Sequence, residues 1–254
     1  MKTLLIGSSI SELTLIGLNK MIESPKSKRV SRYKGATVEA ATKTVPLKAM
    51  NDTQRAYIKA LNDSDQMIVC GFSGTGKTYI AATYAANMYA QNLIDRIILT
   101  RPNVSVGEGL GFFKGTLDEK FQPWVLPILD VLTEQLGKGV VETAVKAGNI
   151  EAAPLSTMRG RSFKNAFIIL DEAQNTTVAE MKMFLTRVGQ NCKVVVNGDI
   201  KQSDINVQSG LSKIIHLAKK NNMNVPVIEF GIDDIVRSDI CKQWIIAFEA
   251  SERE

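Results

Sequence analysis

Gly71-Phe72-Ser73-Gly74-Thr75-Gly76-Lys77-Thr78 has the G-x-x-x-x-G-K-[ST] spacing of a phosphate-binding loop. It follows an apolar run at 67–70 that is typical of a buried strand, and a helical pattern at 78–91 follows it. Glycines let backbone N–H groups approach phosphates closely, and the dipole at a helix start favours the same anion. The stretch therefore predicts a nucleoside triphosphate site rather than an ordinary glycine-rich turn.

The loop and one glutamine before it supply the predicted nucleotide contacts. Lys77 is predicted to reach the β and γ phosphates as a point charge, and the Thr78 hydroxyl to ligate Mg²⁺. Gln54 lies just ahead of the first strand, and its amide is predicted to pair with an adenine edge, because an amide both donates and accepts. The remaining predicted nucleotide contacts are Gly71, Phe72, Ser73, Gly74, Thr75 and Gly76.

Apolar runs alternate with helical patterns along most of the chain. Strands are predicted at 67–70, 96–100, 167–170, 193–197 and 227–230. Helices are predicted at 51–61, 78–91, 124–136, 140–146, 178–187, 210–220 and 238–250. Because continuous apolar strands between helices are typical of sheets covered on both faces, we predict a three-layer α/β/α P-loop NTPase fold. The sheet is expected to be mostly parallel, with five or more strands. A glycine-rich excursion at 104–122 is expected to be long and partly irregular.

Positive charge is concentrated near the N-terminus. The chain carries a net charge of +5, and residues 1–34 hold seven of its Lys and Arg residues against two glutamates. The remaining residues carry equal numbers of basic and acidic side chains. We therefore predict a basic arm at 1–44 and a P-loop domain at 45–254. The arm is expected to stay solvated, and phosphate contact is the alternative.

Cysteine and histidine usage excludes several kinds of site. Cys70, Cys192 and Cys241 form no C-x-x-C pair, which argues against a disulfide framework and a zinc site. A reducing, cytoplasmic compartment is expected, and no stretch reaches the length of a membrane span. His216, the only histidine, lies in a helical pattern, so histidine acid–base chemistry is not expected.

Two adjacent carboxylates end the apolar strand predicted at 167–170. Asp171 is predicted to hold Mg²⁺ through its water shell, and Glu172 to orient and polarise the attacking water. An acid pair at a helix start is the ordinary alternative, but the phosphate loop elsewhere in the chain favours catalysis. A kinase takes its nucleophile from its substrate, so Glu172 favours hydrolysis.

The strand predicted at 193–197 ends in Gly198-Asp199-Ile200-Lys201-Gln202. If this strand lies between the strands of the phosphate loop and of Asp171, its end faces the γ-phosphate. Asp199 or Gln202 would then sense whether that phosphate is present. A tight Gly-Asp turn that only closes the strand is the alternative.

These motifs resemble those of the PhoH family of ATPases, which is similar to the ATP-binding core of superfamily-one helicases. The resemblance covers 51–248 and rests on GFSGTGKT (71–78), TRP (100–102), GEGLGF (107–112), PLSTMRGR (154–161), FIILDEAQNTT (167–177), MKMFLTR (181–187) and GDIKQ (198–202). It implies a RecA-like sheet, ATP and Mg²⁺ as ligands, often a ring of six subunits, and an RNA-related role. It also implies the roles given above for Lys77, Thr78, Asp171, Glu172 and Gln202.

A further cation is expected against the charge that develops during phosphoryl transfer. The candidates are Arg159, Arg161, Arg187 and Arg237, and a surface ion pair is the alternative for each. Because one α/β domain leaves its nucleotide without a facing wall, we expect a homo-oligomer, a hexameric ring. Arg237 is the first choice for an arginine that enters the neighbouring subunit's site.

Basic and aromatic residues suggest a nucleic-acid surface. Arg101 follows its strand as in the helicase segment that contacts a nucleic-acid backbone, and Arg159 and Arg161 would extend a basic track toward RNA or single-stranded DNA. Phe112, Phe113, Phe121 and Trp124 are expected to pack in the core, with base stacking as the alternative. The leading hypothesis is a magnesium-dependent ATPase that remodels RNA or single-stranded DNA. An ATP-switched assembly or regulatory protein is the second hypothesis, and a kinase the third.

Overall fold

In the part of the chain that the structure describes, six strands form one sheet. They are β1 (Gln66–Gly71), β2 (Arg96–Arg101), β3 (Ile150–Pro154), β4 (Ala166–Leu170), β5 (Cys192–Gly198) and β6 (Val227–Phe230). The order across the sheet is β3-β2-β4-β5-β1-β6, and every neighbouring pair is parallel. This computed structural model describes residues 46–102, 117–203, 205 and 207–251, so the predicted arm at 1–44 lies outside the described residues.

Seven helices surround the sheet within the described ranges. They are α1 (Asp52–Asp63), α2 (Lys77–Ala90), α3 (Leu117–Leu136), α4 (Lys138–Lys146), α5 (Val178–Leu185), α6 (Gly210–Lys220) and α7 (Asp239–Ser251). Short 3₁₀ turns occur at Leu155–Met158, Ala173–Asn175 and Ile232–Asp234. The predicted strands and helices are confirmed to within a few residues at their ends, except where noted below.

Two apolar cores, one on each face, follow from the alternation of side chains along the strands. In β1, Val69 packs with α1, α2 and α3, whereas Ile68 and Cys70 pack with α5 and α6. In β4, Ile169 and Ile168 divide in the same way. The predicted three-layer α/β/α architecture is therefore confirmed.

The position of β5 decides what faces the phosphate loop. β5 lies between β1 and β4, with Ile68 of β1 beside Val196 and Ile168 of β4 beside Val194. Parallel strands end at the same edge, so the ends of β1, β4 and β5 meet there. The strand order on which a sensor role of residues 199–202 depends is therefore present.

Two parts of the fold differ from the prediction. The edge strand β3 was missed, because Glu151, two alanines and a terminal proline have low strand propensity. The predicted irregular excursion at 104–122 is wrong at its end, since α3 already begins at Leu117 and continues through Pro123. The part of α3 after this proline packs in the same core as α2. Residues 103–116 lie outside the described residues.

Within the described part of the chain, no helix has both the length and the apolarity needed to cross a bilayer.

Candidate functional site

The phosphate loop, residues 71–78, leads from β1 into α2 through backbone conformations that glycine adopts. Gly71 has φ of +124°, and a Cβ there would lie 2.1 Å from the carbonyl oxygen of Phe230. Gly74 has φ of +80°, and its missing Cβ leaves room for Arg237. The loop is therefore shaped by its glycines and by residues from the far end of the chain.

Lys77, the first residue of α2, points back across the loop. Its ammonium donates to the carbonyl oxygens of Gly71 at 2.5 Å and of Phe72 at 2.7 Å. Burial lowers the pKa of Lys77 below its ordinary value, and the nearby carboxylate of Asp199, followed by other carboxylates, opposes that shift. The Lys77 ammonium is thus partly desolvated and lies near several carboxylates.

Thr78 and Asp171 meet although they are 93 residues apart in sequence. The Thr78 hydroxyl donates to Oδ1 of Asp171 at 3.3 Å. Burial, and then the charge of Glu172, raise the pKa of Asp171 above its ordinary value, while Arg101 is the main opposing charge. The structure therefore brings the two predicted Mg²⁺-binding side chains together.

The raised pKa of Asp171 predicts that its charge destabilises the fold. A carboxyl that binds its proton more tightly in the folded state contributes stability below the ordinary value of 3.8, and that stability is lost as the pH rises through the folded pKa. Asp171→Asn is therefore expected to raise the thermal unfolding midpoint at pH 7 by about 2–4 °C, which is about 1 kcal/mol at this size. Unfolding of nucleotide-free protein in chelator, measured from pH 8 to pH 4, should show the gain shrinking on acidification. A gain that is constant with pH, or a loss at pH 7, would contradict the assignment.

Glu172 follows in a strained turn. Its backbone is left-handed, with φ of +52° and ψ of +39°, which is unusual for a residue with a Cβ. The turn leads into the 3₁₀ segment Ala173–Asn175, and both Asp171 and Glu172 line the same cavity. Strain of this kind is often found where a side chain is held for function.

The residues at the end of β5 and just after it, which we call the sensor turn (residues 198–202), lie beside the loop. Asp199 is 7% exposed, and its Oδ2 is buried without a hydrogen-bond partner in the described part of the chain. The Lys201 ammonium lies 4.7 Å from the centre of the Phe72 ring of the phosphate loop. Gln202 lines the cavity together with Asp199. The sensor turn therefore contacts the loop directly.

These elements enclose a cavity of about 320 Å³. One wall is apolar and comes from α3, which supplies Pro127, Ile128 and Val131. This wall was not predicted from the sequence, because nothing in an amphipathic helix marks which side faces a ligand. The polar lining residues are Ser73, Lys77, Thr78, Tyr79, Asp171, Glu172, Asp199, Gln202 and Arg237.

Gln54 lies under the loop and is only 3% exposed. Its amide nitrogen donates to the carbonyl oxygen of Thr75 at 3.0 Å, and its amide oxygen accepts from the backbone of Met50 at 2.8 Å. Both ends of the amide thus have partners within the chain. Gln54 contacts the phosphate loop directly, and its pairing with adenine stays a prediction.

Arg237 lines the cavity of its own chain, and its side chain lies against Gly74. From the sequence it was predicted to enter the site of a neighbouring subunit. The backbone N–H of Val236 donates to the carbonyl oxygen of Gly74 at 3.0 Å, which fixes this segment to the loop. Sequence spacing could not reveal a contact over 160 residues, and this contact places the arginine at the cavity of its own chain.

The predicted basic track is not continuous. Arg161 forms ion pairs with Glu151, which also pairs with Arg96 at 2.6 Å near the starts of β2 and β3. That position is at the opposite edge of the sheet from Arg101, which ends β2. Arg161 is therefore held in an ion pair with Glu151, and its contact with nucleic acid stays a prediction. Arg159 is exposed after the 3₁₀ turn Leu155–Met158.

The aromatic residues divide into described and undescribed ones. Trp124 packs against the core beside α2, as the sequence analysis expected. Phe112 and Phe113 lie outside the described residues, as does the side chain of Phe121.

Gln174 is a residue of the site that the sequence analysis did not single out. Its amide nitrogen donates to Oε2 of Glu172 at 2.6 Å, and its amide oxygen accepts from the backbone N–H of Asp199 at 2.9 Å. Two signals were available in the sequence: its place two residues after Glu172, and its position inside the stretch at 167–177 that carries the family resemblance.

Comparison with known proteins places the whole domain in one family. The profile of the family described as PhoH-like protein matches residues 46–249. Protein PhoH of Escherichia coli (strain K12) is 44% identical over 209 residues, which are 81% of this chain and 59% of that protein. A PhoH-like protein of Bacillus subtilis (strain 168) is 41% identical over 215 residues, 84% of this chain and 66% of that protein. The chain thus spans about three fifths to two thirds of the length of these relatives.

Among solved structures, the large terminase of a thermophilic bacteriophage is similar with a TM-score of 0.47 and 12% identity, over 76% of this chain and 48% of that one. A likeness at this level says nothing about activity. The family match spans both the phosphate loop and the sensor turn described above. With that span and more than 40% identity to two relatives, the chain belongs to the PhoH family.

Proposed function

We propose that this chain binds ATP together with Mg²⁺ and hydrolyses it, and that the cycle acts on RNA or single-stranded DNA. One observation carries the hydrolysis: Lys77, Thr78, Asp171 and Glu172 line a single cavity, although the two pairs are almost a hundred residues apart. A phosphate cradle, a metal-binding pair and a water-orienting carboxylate are the parts that triphosphate hydrolysis requires.

Lys77 is prepared to exchange partners on binding. Its hydrogen bonds to two loop carbonyls use its N–H groups inside the loop, and phosphate oxygens would replace those carbonyls as acceptors. The backbone N–H groups of the loop and of the start of α2 then add to the attraction. In this account Lys77 holds the β and γ phosphates in line for attack.

The residues present fit Mg²⁺. The Thr78 hydroxyl and the Asp171 carboxylate are hard oxygen donors already in contact, and Mg²⁺ usually takes one or two protein ligands beside substrate phosphates. When bound, the ion neutralises charge on the phosphates. Thr78 would bind it directly, and Asp171 through water.

Glu172 would act on the attacking water. Its carboxylate lines the cavity and is held by the Gln174 amide, so it can accept a hydrogen bond from a water placed beside the γ-phosphate. Gln202 and Asp199 line the same cavity and would contact the γ-phosphate or its water. Loss of that phosphate would release the sensor turn.

Arg237 is proposed to neutralise charge in cis. Arg237→Ala is expected to lower phosphate release by about 10²-fold, because one preorganised cation is lost. Arg159→Ala is the matched control, and it should leave release in the absence of nucleic acid unchanged. An equimolar mixture of Arg237→Ala and Glu172→Gln chains should stay inactive. Recovery of activity in that mixture would show that the arginine serves a neighbouring subunit.

The nucleic-acid part of the proposal rests on two basic residues, half-buried Arg101 and exposed Arg159. Arg101 ends β2 next to Asp171, and Arg159 is exposed after the β3 edge. We expect single-stranded RNA to stimulate phosphate release by the wild-type chain, with binding that weakens as salt increases. Arg159→Ala should reduce the salt slope by about one, and exposed Lys138→Ala should not. Phosphate release unaffected by RNA or DNA would remove this part of the proposal.

A second candidate function is nucleotide-controlled assembly of this chain with itself. One face of α7 leaves Ile240, Trp244 and Phe248 about 60% exposed, and the Trp244 and Phe248 rings stack at 5.9 Å. The helix begins two residues after Arg237, so a second copy on this face would lie beside the nucleotide cavity. We propose a homo-oligomer, a ring of six, on this basis. Light scattering with and without ATP tests it, and a monomer in both conditions would overturn it.

The free cysteines support a reducing, cytoplasmic location.

A further inference from the structure

Gln174 connects two parts of the site through one buried side chain. It is only 2% exposed and lies in the 3₁₀ segment after β4. One end of its amide bonds to the carboxylate of Glu172 and the other to the backbone N–H of Asp199. The proposed water-orienting group is therefore joined to the sensor turn by two hydrogen bonds.

Only one orientation of this amide satisfies both contacts. An ionised carboxylate can only accept a hydrogen bond, and a backbone N–H can only donate one. Reversing the amide would set oxygen against oxygen at Glu172 and N–H against N–H at Asp199. Position 174 therefore needs a donor and an acceptor on one planar group, and the glutamine amide supplies both at neutral pH.

Ser203 and Gly198 both lie close to Gln174. The hydroxyl of Ser203 donates to the Gln174 carbonyl oxygen at 3.3 Å. A Cβ at Gly198 would lie 2.8 Å from the Gln174 amide oxygen and 3.1 Å from its backbone nitrogen. Glycine at 198 thus leaves the space through which the side chain reaches the end of β5.

We propose that Gln174 is a positioning residue that couples the orientation of the Glu172 carboxylate to the position of the sensor turn. The inference rests on the proposed ATP hydrolysis and deepens it by naming how contact with a γ-phosphate reaches the water-orienting group. When the turn moves, the Asp199 N–H moves the amide, and the amide moves the carboxylate. Gln174 acts through Glu172 and does not itself touch the nucleotide.

Two variants separate the two hydrogen bonds. Gln174→Glu keeps the shape and the acceptor for the Asp199 N–H but sets a second carboxylate against Glu172. Gln174→Met keeps the approximate size and loses both bonds. Nucleotide-free hydrogen exchange of the Asp199 amide, followed by NMR, reports on the sensor-turn side, and phosphate release reports on the Glu172 side. A fluorescent ATP analogue measures affinity in each variant.

We expect Gln174→Met to speed exchange of the Asp199 amide at least about tenfold, and Gln174→Glu to leave it protected. Both variants should release phosphate about 10- to 100-fold more slowly, with nucleotide affinity within about twofold of wild type. In the Glu172→Gln background, Gln174→Met should cause no further loss, because a residue that acts through Glu172 has nothing left to position.

Three results would overturn the coupling. They are unchanged Asp199 exchange in Gln174→Met, wild-type turnover in Gln174→Glu, and an equal loss from Gln174→Met with or without Glu172. If the wild-type chain releases no phosphate, the proposed hydrolysis fails and the coupling fails with it, while the exchange measurement still decides whether the bridge exists. Normal wild-type turnover with any of the three results rejects the coupling alone.

Discussion

Glu172→Gln is expected to lower phosphate release by up to about 10⁴-fold while nucleotide affinity stays within about twofold of wild type. Glutamine keeps the shape of the side chain and an oxygen that can accept from Gln174, but it cannot take a proton from water. The loss should therefore appear in turnover and not in binding. Phosphate release under saturating ATP and Mg²⁺, together with titration of a fluorescent ATP analogue, separates the two quantities.

The matched control for this variant is Glu142→Gln. Glu142 is an exposed residue of α4 whose ion pair with Lys138 spans 3.9 Å at the surface, so its loss should change neither quantity. If Glu172→Gln hydrolyses ATP at the wild-type rate, Glu172 does not orient the water. A matching loss of affinity would instead assign Glu172 to nucleotide binding.

Gly71→Ala is expected to destabilise the fold by about 3 kcal/mol and to abolish nucleotide binding. Its Cβ would lie 2.1 Å from the Phe230 carbonyl oxygen and 2.8 Å from the Phe230 Cβ, and the backbone has φ of +124°. Neither obstacle is a flexible side chain, so β1 and β6 must separate at the start of the phosphate loop. Thermal unfolding should show a midpoint about 6–12 °C lower than wild type.

Gly139→Ala provides the opposite case in the same protein. Gly139 lies in α4, and a Cβ there would meet no atom within 4 Å, so alanine should stabilise the helix by up to about 1 kcal/mol. Equal midpoints for Gly71→Ala and wild type would contradict the close approach of β6 to the loop.

Local patterns were enough to predict most of the fold and half of the site. The phosphate loop and the Asp171–Glu172 pair each follow an apolar strand directly, and parallel strands bring such ends to one edge without further information. The position of the sensor turn follows from the strand order. Because β5 lies between β1 and β4, the sensor turn lies between the phosphate loop and the Asp171–Glu172 pair. Strand β3 escaped prediction because pairing with β2, rather than its own composition, makes it a strand.

Contacts between distant segments could not be predicted in this way. Arg237 reaches Gly74 because residues 231–238 fold back along the loop, which no periodicity indicates. Arg161 finds Glu151 through a strand that was itself missed. The contacts of Gln174 could be recognised only from the structure, in which both ends of its amide form hydrogen bonds. Each is a tertiary contact made by a polar side chain whose type allows many partners.

A crystal structure with Mg²⁺ and a non-hydrolysable ATP analogue tests the central claim most directly. We predict the γ-phosphate within about 3 Å of the Lys77 ammonium, and Mg²⁺ about 2.1 Å from the Thr78 hydroxyl oxygen. We also predict the Glu172 carboxylate and the Gln202 amide facing the γ-phosphate. A triphosphate bound away from residues 71–78, with Lys77 still bonded to the Gly71 and Phe72 carbonyls, would contradict the central claim.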